Sequence, residues 1–210
     1  MKIKICGLRS LADINLANKY APDFIGFVLA PSKRQINIDT AYNLRDNLYS
    51  SIKSVGVFVN ESPDVIREYV RNNIINIVQL HGDEDMNYIK SLRDTIDIPI
   101  VKALRVDSSK SHNQFIEENG VYLESEELDY VLFDKYKNNL YGGSGESFDW
   151  SILKEIKRNF FLAGGVGIEN IEKAASYNPY AIDLSSKVEI NGVKDEAKIA
   201  EIMEKVRSLK

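Results

Sequence analysis

Four side chains in this sequence could carry chemistry. Cys6 is the single cysteine. As a thiolate it would take a proton from carbon, which requires an electropositive setting to hold the anion; otherwise a lone cysteine is a small buried hydrophobe. Asp134 closes the apolar run Tyr130-Val131-Leu132-Phe133. A carboxyl at the mouth of an apolar enclosure can keep its proton and act as a general acid, and the plainer alternative is a capping or salt-bridged aspartate. Arg34, in Pro31-Ser32-Lys33-Arg34, offers a forked and permanently charged partner for a substrate carboxylate; without context it reads as a solvated loop arginine. His81, two residues after Gln79, is either a catalyst or, as is more common, a structural hydrogen-bonding histidine.

Three turns could bind an anion. Gly142-Gly143-Ser144-Gly145 lets backbone N–H groups approach a ligand closely, with Gly143 and Gly145 as the contact candidates, although a flexible turn looks the same. Gly164-Gly165 and Ser185-Ser186 say more together, because they follow consecutive strand-like runs. No metal or organic cofactor is expected: there is no Cys-x-x-Cys pair, no His-Glu-x-x-His and no Walker loop. Gly164-Gly165-Val166-Gly167 lacks the rest of a dinucleotide fingerprint, and no nucleophile elbow of a Ser–His–Asp hydrolase is present.

The elements that must position these residues alternate along the chain. Strand-like runs fall near 2–6, 24–29, 54–59, 74–80, 99–104, 130–134, 160–164 and 181–185. Several are almost continuously apolar, such as Val55-Gly56-Val57-Phe58-Val59, as strands of a parallel sheet covered on both faces are. Helical periods lie between them. Ser62 can cap a helix whose first residue is Pro63, with Val65, Ile66, Tyr69 and Val70 as its apolar face. A last helix carries Ile199, Ile202, Met203, Val206 and Leu209, a stripe most simply explained as core packing. Residues 108–127 are least regular and read as a helix plus a polar loop. Eight strands with about eight helices predict an α/β fold, a single-domain (β/α)8 TIM barrel over residues 1–210. An open doubly wound sheet is the competing arrangement, and periodicity alone does not separate the two. In a barrel, residues just past the strand C-termini gather on one face. The candidates Cys6, Arg34, His81, Asp134, Gly164, Gly165, Ser185 and Ser186 all fall there, and loops seven and eight are the usual phosphate position of that fold.

Composition narrows the partners. With 27 basic against 31 acidic residues the net charge is −4, which argues against a general nucleic-acid binder. A small phosphorylated substrate remains compatible, since a local cluster of amides binds phosphate on an acidic protein. The opening run Met1-Lys2-Ile3-Lys4-Ile5 reads as a strand, and no run approaches the ~18 apolar residues that span a bilayer. One unpaired cysteine fits a reducing compartment, so the expectation is a cytoplasmic protein, monomer or homodimer, with no membrane partner.

Lys4-Ile5-Cys6-Gly7-Leu8, Ser32-Lys33-Arg34, Gly56-Val57-Phe58-Val59-Asn60, Val78-Gln79-Leu80-His81-Gly82-Asp83-Glu84 and Lys102-Ala103-Leu104-Arg105 resemble, in order, motifs of the phosphoribosylanthranilate isomerases. Phe133-Asp134, Gly142-Gly143-Ser144-Gly145, Phe148-Asp149-Trp150, Leu162-Ala163-Gly164-Gly165, Asp183-Leu184-Ser185-Ser186 and Gly192-Val193-Lys194-Asp195 continue the match over essentially the whole chain. The resemblance implies an Amadori rearrangement of N-(5-phosphoribosyl)anthranilate, the third step from chorismate to tryptophan, without a cofactor. It assigns Cys6 as general base, Asp134 as general acid and Arg34 as the grip on the anthranilate carboxylate. The glycine and serine turns take the phosphate, and Asp183 and His81 have supporting roles. One departure is plain: Lys187 stands where the family usually has glycine, so its side chain either adds charge near the phosphate or points to solvent. Two other readings remain. A histidine-pathway aldose–ketose isomerase performs similar chemistry but resembles a two-aspartate design, and a catalytically silent barrel would bind phosphate without turnover.

Overall fold

In Lys2-Ile3-Lys4-Ile5-Cys6 every second residue is isoleucine, so an extended backbone puts the isoleucines on one face and the lysines and cysteine on the other. This run is strand β1 (Lys2–Cys6). It is followed by β2 (Phe24–Val28), β3 (Lys53–Phe58), β4 (Ile77–Leu80), β5 (Ile100–Val106), β6 (Tyr130–Lys135), β7 (Phe160–Leu162) and β8 (Ala181–Leu184). The computed structural model describes residues 1–135 and 148–209. Each strand pairs in parallel with the next, and β8 returns to pair in parallel with β1, which closes the sheet into a barrel and excludes the open doubly wound alternative.

Helices α1 (Leu11–Tyr20), α2 (Ile38–Asp46), α3 (Pro63–Arg71), α4 (Met86–Arg93), α5 (His112–Leu123), α6 (Ile171–Ala175) and α7 (Glu196–Ser208) connect the strands. Among the described residues a 3₁₀ turn, Trp150–Leu153, stands between β6 and β7 where a full helix was expected. After β8 come a second 3₁₀ turn (Ser186–Val188) and a hairpin of β9 (Glu189–Ile190) and β10 (Val193–Lys194), which leads into α7. Ser62 caps α3 as anticipated, its side chain accepting from the Val65 N–H, and Pro63 occupies the first turn.

Period-two alternation produces two cores. Outward residues such as Ile3, Ile5, Phe27 and Phe58 pack under the helices. Inward residues Phe24, Val55, Ile77, Val101, Ala103, Leu132, Phe161, Ala163 and Ala181 fill the barrel. The stacked rings of Tyr130 and Tyr180, with centroids 4.6 Å apart, close its floor, and Lys2 Nζ donates to the Tyr180 hydroxyl at 2.8 Å. At the other end the inward positions turn polar, at Cys6, Gln79, Asp134 and Asp183.

Local expectations change at four places. The fourth strand begins at Ile77, not at 74, because the Ile74 N–H still donates to Tyr69 O and Asn73 turns left-handed (φ 54°) to end α3. The seventh strand stops at Leu162, since Gly164 and Gly165 take φ of 77° and 69° and leave extended geometry. On α3 the buried side chains are Ile66 and Tyr69, while Val65 lies at the rim of the stripe and is exposed. Leu209 likewise lies beyond the end of α7 and is exposed, whereas Ile199, Ile202, Met203 and Val206 are buried.

Candidate active site

Cys6 ends β1 as a free, buried thiol. Its register partner across the sheet is Gly26, where an added Cβ would stand 2.6 Å from the sulfur. Two residues earlier on the same inward face, Lys4 is fully buried and donates through Nζ to Asp183 Oδ2 at 2.8 Å. Lys4 and Asp183 are register partners on β1 and β8, so parallel pairing itself delivers the contact. Burial works against the charge of Lys4, but Asp183 and the neighbouring thiol hold its pKa above the ordinary lysine value. For Cys6, burial is the largest influence and pushes the thiol above its ordinary value, while Lys4 and Lys194 pull it down. The electropositive setting that a thiolate needs is therefore present, yet dehydration outweighs it and favours the protonated thiol.

Asp134 lies near the end of β6, buried, with one carboxylate oxygen accepting from the Lys135 N–H at 2.8 Å. Its other oxygen is 3.4 Å from His81 Nε2. Gln79 Nε2 lies 2.9 Å from His81 Nδ1. With the amide donating, Nδ1 is the acceptor and the ring hydrogen sits on Nε2, facing Asp134. Gly164 makes room beside the acid: a Cβ there would come 3.1 Å from Asp134 Oδ1. Asp183 feels the charges of Lys4, Asp134 and His81, and Cys6 feels that of Asp183. Cys6 at the end of β1 and Asp134 near the end of β6 both lie at the C-terminal mouth of the closed barrel.

Arg34 follows β2 and is buried. Its Nε and Nη2 donate to the two carboxylate oxygens of Glu189 at 2.9 and 2.7 Å. The arginine stem crosses Gly7, where a Cβ would meet Arg34 Cδ at 2.5 Å and where φ is 84°, so glycine suits both the turn and the crossing. Glu189 also accepts from Lys194 Nζ at 2.8 Å, and Lys194 donates in turn to the carbonyls of Cys6 (2.6 Å) and Ser185 (3.2 Å). Ser185 Oγ donates to Cys6 O at 3.3 Å. Arg34 is therefore no solvated loop residue, and one edge of its guanidinium is already taken by this protein's own carboxylate.

The turns after β7 and β8 are neighbours in the barrel. Among the described residues the N–H groups of Gly164 and Gly165 donate to no acceptor, and Asn170 Nδ2 holds this turn by donating to Gly165 O at 3.0 Å. Ser186 opens the 3₁₀ turn after β8. Lys187, within that turn, ion-pairs with Glu169 of the β7–α6 loop, so its charge is directed to a carboxylate and ties the two turns together. Gly143 and Gly145 lie outside the described residues. The described residues contain no group of three or more His, Cys, Asp or Glu side chains able to hold a metal ion, and no described helix is long and apolar enough to cross a membrane.

Reading residue types along the chain missed Lys4, Gly26, Glu189 and Lys194 as parts of the cluster. For Lys4 part of the signal was available, because alternation sets it on the same strand face as Cys6. Gly26 could not be found that way: its role is defined by register with Cys6.

Comparison with known proteins gives a consistent picture. The family model described as N-(5′-phosphoribosyl)anthranilate (PRA) isomerase matches residues 3–205. A protein of Endomicrobium trichonymphae named N-(5′-phosphoribosyl)anthranilate isomerase is 46% identical over 209 residues, covering 99% of each chain. A crystal structure of phosphoribosyl anthranilate isomerase in complex with reduced 1-(o-carboxyphenylamino)-1-deoxyribulose 5-phosphate superposes with a TM-score of 0.81 at 30% identity, covering 99% of both chains. A structure of mutually generated monomers of the dimeric enzyme of Thermotoga maritima gives 0.82 at 30% identity, again over 99% of both.

Proposed function

The chain belongs to the N-(5′-phosphoribosyl)anthranilate isomerase family, an isomerase of tryptophan biosynthesis, and from that premise we propose that Cys6 and Asp134 are its base and acid. Asp134, protonated, donates to the ribose ring oxygen, and the ring opens to a protonated Schiff base. That cation acidifies the C2′ proton, which the Cys6 sulfur removes. The enolamine then tautomerises to the ketone of 1-(2-carboxyphenylamino)-1-deoxyribulose 5-phosphate. The substrate's own iminium nitrogen is the electron sink, so the chemistry requires no metal or organic cofactor. The iminium also brings a positive charge to the mouth, which offsets the burial that favours the protonated thiol. General acid–base assistance is typically worth ~10²–10⁴-fold per group. Positioning supplies the remainder, with the two ends of the substrate held by anion contacts.

In this reading Arg34 meets the anthranilate carboxylate, and the turns at Gly164-Gly165 and Ser185-Ser186, with Gly143 and Gly145, meet the phosphate. His81 and Gln79 orient Asp134, and Asp183 with Lys4 sets the charge beside Cys6. The observation that carries the proposal is that Cys6 and Asp134, far apart in sequence, both lie buried at inward positions near the C-terminal ends of their strands, β1 and β6, and so at one mouth of the barrel. The working unit we take to be a monomer or homodimer in the cytoplasm, where a lone thiol stays reduced; the Thermotoga maritima relative is dimeric. The decisive experiment follows the fluorescence loss of phosphoribosylanthranilate with purified protein. Turnover is expected, and binding without turnover would favour the silent phosphate-binding barrel instead.

A further inference from the structure

Arg34 has two hydrogen-bonding edges, and this structure commits only one of them. Its Nε–Nη2 edge is clasped by both oxygens of Glu189, which is itself buried and held on the other side by Lys194. Among the described residues Nη1 takes part in no hydrogen bond. A two-point clasp fixes the plane of a guanidinium as well as its position. Because Gly7 lets the arginine stem cross close to the end of β1, the clasped head also stays within electrostatic reach of the Cys6 thiol.

We propose that Glu189 is the positioning residue of the substrate's carboxylate end: it holds one edge of Arg34 so that the Nη1 edge is presented, at fixed orientation, to the anthranilate carboxylate. Two cations and one carboxylate make the buried trio Arg34–Glu189–Lys194 net positive, so a second carboxylate is attracted to it. Lys194 adds the link to the reaction centre, since the same ammonium that steadies Glu189 donates to the carbonyls of Cys6 and Ser185. Glu189 does not touch the substrate and acts through Arg34. The inference rests on the role given to Arg34 above and deepens it.

Calorimetric titration with two probes tests it. Reduced 1-(o-carboxyphenylamino)-1-deoxyribulose 5-phosphate carries the carboxylate, and ribulose 5-phosphate lacks it. Glu189→Gln is expected to weaken the first probe by about tenfold or more, as loss of a charge-assisted contact does, and to leave the second within about twofold, the scatter expected of an unaffected site. In kinetics KM rises more than kcat falls. In an Arg34→Ala background Glu189→Gln adds no further selective loss. Equal weakening of both probes, or an additive loss in that background, overturns the proposal. If Glu189→Gln does not fold, Glu189→Asp, which keeps the charge but withdraws it by one methylene, must show the same selective loss for the proposal to stand. Should the unmodified protein bind both probes equally, the carboxylate role of Arg34 fails and this inference with it; selectivity that survives in Glu189→Gln sinks the inference alone.

Discussion

Gly26 and Cys6 are register partners on adjacent strands, and the sulfur occupies the space that any side chain at position 26 would claim. The backbone of Gly26 does not require a left-handed φ, so alanine suits the strand's dihedrals; what opposes it is Cys6, whose sulfur would lie 2.6 Å from the new Cβ and whose Cα and Cβ would lie at 3.1 and 3.2 Å. Gly26→Ala is expected to push the thiol aside while leaving the barrel folded. A displacement of about 1 Å costs on the order of 10²-fold in rate. Steady-state kinetics alongside a circular dichroism melt would show it, and an unchanged kcat would mean that the position of the sulfur does not matter.

Substituting the two reacting groups separates chemistry from binding. Cys6→Ser replaces the thiol by a hydroxyl that is a far weaker base near neutral pH, and Asp134→Asn replaces an acid by an amide that cannot donate a proton in the same way. Each is expected to lose ~10²–10⁴-fold in kcat with little change in affinity for the product analogue. Turnover close to that of the unmodified protein in either variant removes that residue from the mechanism.

The environment of Cys6 gives a pH prediction of definite sign. Burial raises its pKa above the ordinary 9.0, so the reactive anion accumulates only on the alkaline side of that value. Iodoacetamide labelling of the ligand-free protein is expected to accelerate with pH up to and past 9.0. A labelling midpoint near neutrality would show that Lys4 and Lys194 outweigh dehydration. The proton bound by the folded state also means that this group's contribution to stability is lost as pH rises through the raised pKa.

A buried ion pair on the helix side of the barrel supports His81 from behind. Lys102 Nζ donates to Glu84 Oε2 at 2.8 Å and to Gly82 O at 2.7 Å, and Glu84 accepts from the N–H groups of Asn60 and Gly82. Removing one partner leaves the other charge buried and unpaired, which typically costs about 3–5 kcal/mol. Lys102→Ala is expected to lower stability by that amount in urea denaturation and to loosen the turn that carries His81. A loss below about 1 kcal/mol, the range of an exposed pair, would mean that water reaches the pair.

Much of the architecture was legible in the residues themselves. Eight extended runs, each bounded by turn chemistry, announced the strand count. Cap residues such as Ser62 placed helix starts, because hydrogen bonding at a helix N-terminus depends on nearest neighbours alone. Position relative to a strand end placed the candidates on one face, because a barrel gathers whatever follows its strands, while the roles of Cys6 and Asp134 came from the family resemblance.

Which groups those candidates would meet was not legible. Nothing along the chain shows that Glu189 takes one edge of Arg34, or decides whether Lys187 adds charge near the phosphate or points to solvent; the tertiary structure sets Glu189 against Arg34 and Glu169 beside Lys187. Lys4 read as one more residue of an N-terminal strand until closure of β1 against β8 set it opposite Asp183. The sequence alone determined which elements form, because periodicity and capping act within a few residues along the chain. Only the closed barrel decided the partners, because register and closure join residues well beyond the reach of local periodicity, from 18 positions apart for Lys187 and Glu169 to 155 for Arg34 and Glu189, and those contacts decide which charge is spent inside the protein and which is left for a ligand.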